Sequence, residues 1–188
     1  MLVLISGVSG SGKDTVIKRM LKKDLELKYF PSFTTREKRP YEEDGVDYFF
    51  VSKEKFKQMI ANNEFFEYSI HHDNYYGTAR SVIESSLKNG KRLIKDIDVN
   101  GATTLKNLFG EKEILTIYLD ISKEEMKKRL LERGDLKDKK DFEKRLERYE
   151  YEESFLPQYD YVIKNYDLEK TVNKVYNIIK KEIEKRKK

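Results

Sequence analysis

The sequence predicts an α/β fold: a parallel sheet with helices on both faces, three layers deep, into which a mostly-β lobe is inserted. Three observations carry this. Short apolar runs at residues 2–6, 93–98, 114–119 and 161–163 alternate with segments whose apolar residues recur at helical spacing. That alternation calls for crossover connections and therefore parallel strands. A glycine-rich turn joins the first run to the first helical segment, at the carboxyl end of a strand, where such sheets bind ligands. Residues 33–80 break the pattern, being mostly short strands with one helix. They divide the chain into a core of residues 1–32 and 81–188 and a lobe between them.

With 188 residues and no linker or internal repeat, the chain reads as one domain, long enough to bury a core although 39% of its residues are charged. Much of that charge lies in Lys/Glu mixtures such as residues 180–188, which read as solvated helix faces. The net charge of +5 suits small polyanions and does not by itself argue for nucleic acid, and no DNA- or RNA-binding signature is present. Without cysteine there is no disulfide framework and no thiolate metal site. No apolar run approaches a membrane span, and the chain starts directly on a core strand. A cytoplasmic protein is expected, with no membrane partner.

The elements follow in order. Leu2 to Ser6 form a continuous apolar run that reads as a buried strand. Val16, Ile17, Met20 and Leu21 recur at helical spacing, so a helix starts near Lys13. Residues 25–35, with Leu27, Tyr29, Phe30 and Phe33, read as one strand leading into a loop that carries Arg36, Arg39 and Pro40. Residues 45–51 are a further strand, and Ser52 caps a short helix with Phe56, Met59 and Ile60 inward. Residues 64–70 and 75–78 read as strands joined by a turn at Asp73 and Asn74. Residues 81–87 are helical and stop at Gly90. The run 93–98 is a strand ending in Asp96 and Asp98; residues 102–109 are a helix and 114–119 a strand. Ser122 and Glu125 form a capping box that opens a helix ending at Gly134. Residues 135–140 are short and charged, the natural lid. Phe142, Leu146, Tyr149 and Phe155 continue on a long helix, followed by a strand at 161–163 and a helix at 168–183.

The first turn reads Gly7-Val8-Ser9-Gly10-Ser11-Gly12-Lys13-Asp14-Thr15. Strand, glycine turn and helix are the context of a phosphate-binding loop. Its glycines allow positive φ and close backbone approach, its N–H groups point inward, and the helix N-terminus adds partial positive charge. Lys13 supplies the point charge for the outer phosphates. An ordinary glycine loop is the plainer reading of this stretch taken alone. The position after the lysine is unusual: Asp14 stands where a Mg²⁺-ligating hydroxyl is standard, and Thr15 comes one place late. Asp14 either meets the metal or caps the helix N-terminus.

Six further motifs occur in order. They are Ser32-x-Thr34-Thr35-Arg36-x-x-Arg39-Pro40, Gly45-x-Asp47-Tyr48-x-Phe50-Val51 and Glu64-Phe65-x-Glu67. Then come Asn74-Tyr75-Tyr76-Gly77-Thr78, Asp96-Ile97-Asp98-x-x-Gly101, and Arg133-Gly134 followed by Arg145-Leu146. Over nearly its whole length the chain therefore resembles the guanylate kinase family. The resemblance implies a three-layer P-loop kinase fold, transfer of a phosphoryl group from ATP to GMP with Mg²⁺, a GMP-binding lobe at residues 33–80 and a lid at about 134–146. It implies small-molecule substrates and a monomer or homodimer. ATP would lie on Gly7, Ser9, Gly10, Ser11, Gly12, Lys13, Asp14, Thr15 and Asn165. Lys13, Arg39, Arg133 and Arg145 would be catalytic, and Asp14 would be the metal ligand.

The chemistry of GMP agrees with the remaining residues. Guanine presents two N–H donors on one edge, which one carboxylate can accept together, and Glu67 is assigned to it. Adenine has no such pair. Ser32 and Thr78 match the hydroxyls that donate to O6. Arg36, Arg39, Tyr48 and Tyr76 suit the phosphate, although both tyrosines equally suit core packing. Asp96 and Asp98 would lie beside the acceptor nucleotide. Lys95 stands where an apolar strand residue is usual; its stem snorkels or it pairs with an acid. Arg133 and Arg145 flank the charged lid and would stabilise charge on the moving phosphoryl group. An ionised phosphate nucleophile needs no general base, and His71 and His72 read as surface or strand residues rather than ligands. Two other readings compete: a kinase resembling ribose 1,5-bisphosphate phosphokinases, which share an acid after the P-loop lysine, and a non-catalytic phosphopeptide-binding module.

Overall fold

Leu2–Ser6 (β1) is buried along its whole length, as a strand with neighbours on both edges and both faces must be. It pairs in parallel with β7 (Arg92–Asp96) on one side and β8 (Ile114–Asp120) on the other. β2 (Leu27–Tyr29) extends the sheet beyond β7, and β9 (Tyr161–Lys164) beyond β8, in the order β2-β7-β1-β8-β9. The computed structural model that shows this describes residues 1–23, 25–71, 73–132, 134 and 139–186.

Alternation along β1 separates the two outer layers. Val3 and Ile5 meet Val16, Ile17 and Met20 of α1 (Lys13–Met20) and Val172, Val175 and Ile179 of α7 (Leu168–Arg186). Leu2 and Leu4 meet Ile83 of α3 (Arg80–Lys88) and Ala102 and Leu105 of α4 (Val99–Glu113), together with Phe56 and Met59 of α2 (Lys53–Ala61). A third cluster of Val8, Ile121, Met126, Leu130 and Tyr149 seats α5 (Lys123–Glu132) and α6 (Lys139–Glu153) against the glycine turn.

Residues 32–79 build a second sheet in the order β4-β3-β6-β5. Its strands are β3 (Ser32–Thr34), β4 (Tyr48–Phe50), β5 (Phe65–His71) and β6 (Asn74–Ala79). α2 packs on it through Phe56, whose ring stacks on Phe65 at 4.5 Å. The Ser52 cap is in place, accepting from the Lys55 N–H.

Five expectations are corrected. Residues 25–35 are not one strand but two, in different sheets, because Pro31 has no N–H to continue a ladder. The strand expected over 45–51 is confined to Tyr48–Phe50, since Gly45 (φ 77°) lies in a turn. β7 stops at Asp96, and α4 starts three residues early because Asp98 caps it, accepting from the Gly101 N–H at 2.8 Å. Phe155 falls beyond α6, in the turn before Pro157. Of the expected lid, residues 135–138 lie outside the described residues.

Candidate active site

The glycine turn follows β1 directly, and sterics require its glycines. A Cβ on Gly7 would lie 2.4 Å from the Leu119 carbonyl and 2.6 Å from Ser11 Oγ. Gly12 caps α1 in the left-handed region (φ 88°), and a Cβ there would meet Asn165 Nδ2 at 2.7 Å. The turn is closed by Ser11 N–H donating to Val8 O at 3.0 Å. Lys13 arches back over it, Nζ donating to Gly7 O and, at 3.3 Å, to Val8 O. Ser11 Oγ is buried with no hydrogen-bond partner among the described residues.

Two side chains brace the turn from behind. Asn165 Nδ2 donates to Ser11 O at 2.6 Å. Arg129 Nη1 donates to Gly10 O (3.2 Å), Nη2 to Asn165 O (2.7 Å) and Nε to Glu125 (2.7 Å). Asn165 was expected on ATP; here its amide holds the loop backbone. Arg129 was missed, because Glu125 and Arg129 at i,i+4 read as an ordinary surface pair on a helix. Asp14 and Thr15 stand exposed in the first turn of α1.

In front of the turn opens a cleft of about 680 Å³. Gly7, Ser9 and Lys13 line it from the parallel sheet's side, and Ser32, Tyr48, Glu67 and Tyr76 from the second sheet. Asp96, Asp98 and Arg145 complete it, with Arg148, which the sequence did not single out. Arg145 Nη1 donates to Ser9 Oγ at 2.9 Å, linking α6 to the turn. Arg148 binds Glu152 at 2.7 Å and lies 3.8 Å from Asp98.

Glu67 sits opposite Thr78 in the β5–β6 register. Gly101 leaves room for it: a Cβ there would lie 3.0 Å from Glu67 Cδ. Thr78 Oγ1 is buried and has no hydrogen-bond partner among the described residues. The Tyr48 and Tyr76 rings meet edge to face at 6.0 Å. The Tyr48 phenol is pushed far above its ordinary range, first by the charge of Asp96, then by burial and the charge of Asp14. It therefore stays a proton donor. Asp96 is held by the Tyr29 hydroxyl at 2.7 Å, a contact no local pattern announces because 67 residues separate the two.

The two phosphate arginines do not line the cleft. Arg36 clasps Glu42 through both carboxylate oxygens (3.0 and 2.7 Å), its guanidinium stacked 5.4 Å from the centre of the Tyr48 ring. Arg39 is exposed and bonds the Tyr41 hydroxyl at 3.0 Å. Lys95 is fully buried, its Nζ donating to Ser32 Oγ (2.5 Å) and Phe30 O (3.4 Å). Arg133 lies outside the described residues, as does His72, while His71 ends β5. Among the described residues, no three His, Cys, Asp or Glu side chains converge into a metal cage, and no helix is long and apolar enough to cross a membrane.

Comparison with known proteins decides the family. The profile of the family described as guanylate kinase matches residues 1–182. The chain belongs to the guanylate kinase family. A guanylate kinase of Oceanobacillus iheyensis is 39% identical over 186 residues, covering 99% of this chain and 89% of that protein. One from Thermotoga maritima is 38% identical over 184 residues, covering 96% and 86%. A crystal structure of guanylate kinase from Anaplasma phagocytophilum superposes with a TM-score of 0.78 at 31% identity, over 97% of this chain and 85% of that one. The fold shared with guanylate kinases is thus the P-loop kinase fold expected above.

Proposed function

We propose that this guanylate kinase family member transfers the terminal phosphoryl group of ATP to GMP, with ATP on the glycine turn and GMP on the second sheet. The observation that carries the reading is the single cleft lined by Lys13 and Ser9 on one side and by Glu67 and Ser32 on the other. The carboxylate accepts the two N–H groups on guanine's edge, and the Thr78 hydroxyl, without a hydrogen-bond partner among the described residues, stands across the ladder from it. The family relationship and the full set of base-site residues favour this over a ribose phosphate acceptor or a phosphopeptide-binding module.

Transfer needs little covalent help. A GMP phosphate oxygen, already ionised, attacks the γ-phosphorus in line; that P–O bond forms as the bond to the β–γ bridging oxygen breaks. Lys13 exchanges the carbonyls of Gly7 and Val8 for phosphate oxygens. Arg145 places its charge over the moving group, and closure of the cleft keeps water from taking the phosphoryl group. Arg36 and Tyr48 bind the acceptor phosphate, with Glu42 yielding part of its hold on the guanidinium; Arg39 and Arg133 complete the cationic set. In this reading residues 33–80 are the GMP-binding lobe and about 134–146 the lid, and the enzyme works in the cytoplasm as a monomer or homodimer.

The carboxylates fit Mg²⁺. Asp14 adjoins Lys13 in the chain, and Lys13 and Asp96 both line the cleft. A hard cation takes such oxygens together with phosphates and water. Bound there with ATP, Mg²⁺ would neutralise charge on the β- and γ-phosphates. Asp14→Ala is expected to lower kcat/KM for ATP at least about tenfold, the scale of one lost metal-site contact, and to raise the Mg²⁺ concentration for half-maximal rate. Asp14→Ser should recover much of the activity. An unchanged Mg²⁺ dependence in the alanine variant would leave Asp14 as a helix cap.

The proposal as a whole is tested by ADP formation from ATP and Mg²⁺ with a panel of acceptors. GMP should be used well, and AMP, CMP, UMP and ribose 1,5-bisphosphate poorly, because an unmatched base leaves the Glu67 carboxylate unpaired. Equal rates with AMP and GMP, or no turnover at all, would refute it.

A further inference from the structure

Among the described residues Lys95 is the one lysine buried at 0% exposure, and the mechanism above does not use it. It lies on β7 beside Leu4 of β1, on the face that carries Leu93 and Ile97 into the apolar layer shared with α4. Burying an ammonium there is costly unless it is paired and hydrogen-bonded. Replacing such a group with a hydrocarbon of similar volume is often neutral for stability or better. A role outside folding is therefore the question to ask. Its partners are specific: Ser32 Oγ at 2.5 Å and Phe30 O at 3.4 Å, with the ammonium 5.2 Å from the centre of the Phe30 ring. Ser32 lines the cleft and Lys95 does not.

We infer that Lys95 is a positioning residue that fixes the Ser32 hydroxyl as a hydrogen-bond donor into the cleft and so selects purines with oxygen, not an amino group, at position 6. The inference rests on the reading of Ser32 and Glu67 as the base-binding pair. An ammonium has three donors and no acceptor, so the hydroxyl oxygen must accept from it. The hydroxyl proton is then directed away from Lys95. Accepting from the ammonium also polarises the O–H, making it a better donor and its oxygen a poorer acceptor. A purine 6-oxo group meets a strengthened donor there. A 6-amino group brings an N–H toward an oxygen already facing an ammonium, and positive ends oppose. Burial pulls the Lys95 pKa down from its ordinary value, while the nearby charges of Asp96 and Glu67 oppose that and favour the ammonium. Selection thus has two parts: Glu67 reads the N1 and 2-amino edge, and Lys95 acts through Ser32 on position 6.

The test compares GMP with 2,6-diaminopurine riboside 5′-monophosphate. The analogue keeps the 2-amino group and turns the 6-substituent from acceptor to donor; its missing N1–H affects every form of the enzyme alike. Full-length wild type, Lys95→Met, Ser32→Ala and the double variant are assayed with saturating ATP and Mg²⁺. Lys95→Met should narrow the ratio of kcat/KM values for the two acceptors about tenfold, the scale of one charge-assisted hydrogen bond. The change should fall mainly on KM for GMP, with KM for ATP unaltered. The double variant should narrow the ratio no further than about twofold beyond Ser32→Ala, since the lysine acts through the serine. Lys95→Leu serves should the methionine variant not fold. An unchanged ratio in either folded variant, or a shift in melting temperature alone, overturns the inference. If wild type fails to use GMP, the base-site reading falls with it; if wild type selects GMP and the variant selects it equally, the lysine inference falls alone.

Discussion

Arg145→Ala is expected to lower kcat at least about a hundredfold while moving KM for GMP less than about threefold, the pattern of a cation needed mainly in the transition state. Arg145 reaches the glycine turn from α6, its Nη1 on Ser9 Oγ at 2.9 Å, and lines the cleft beside Lys13. The Ser9 contact holds the guanidinium close to the turn, where charge spreads over three phosphoryl oxygens during transfer. Lysine should rescue poorly, because a planar fork and a point charge are not interchangeable at a phosphoryl group. Steady-state rates with both nucleotides saturating provide the check. A variant that keeps most of its kcat would reduce Arg145 to a strap between α6 and the turn.

Glu67→Gln is expected to cost about 2–4 kcal/mol in kcat/KM for GMP, typical of breaking a charge-assisted pair out of water. The amide offers one acceptor but sets an N–H against a guanine N–H. On the Gly101 side the carboxylate is admitted only for want of a Cβ, which would lie 3.0 Å from Glu67 Cδ. KM for ATP should hardly change, because Glu67 lies on the second sheet and the ATP contacts proposed above lie on the turn. KM values rising together for both nucleotides would mean that Glu67 supports the fold rather than reads the base.

What the sequence shows of this site depends on how local the physics is. β1 and the turn are legible because their causes are local: an apolar run, then glycines whose φ values and missing Cβ atoms the geometry demands. Ser52 and Ser122 are legible as caps for the same reason. The strand break at Pro31 was equally local but was overridden by a longer run of β-formers around it. What stayed hidden depends on distant partners. Tyr29 on Asp96 and Arg129 on Gly10 and Asn165 join segments that only the folded sheet brings together. Arg36 could be read as a phosphate cation, yet nothing near it in sequence says that Glu42 would occupy it bidentately. Lys95 was visible as an oddity in an apolar strand, but neither snorkelling nor an acid partner describes it: it is fully buried and its Nζ donates to the Ser32 hydroxyl, 63 residues away.

The second sheet is spliced into the chain with almost no slack. It is entered through Phe30 and Pro31 alone, between β2 and β3, and it is left without a spacer, Ala79 ending β6 and Arg80 starting α3. Such a splice suggests a cassette that could be transplanted onto another P-loop core to change which acceptor is used. Lys95 limits that modularity. It belongs to the recipient core, on β7, yet its Nζ touches Ser32, the first residue of the cassette. A graft of the sheet alone would bring the serine and leave its lysine behind, so the true unit of exchange is discontinuous: the inserted sheet plus one position on a strand some sixteen residues after it ends.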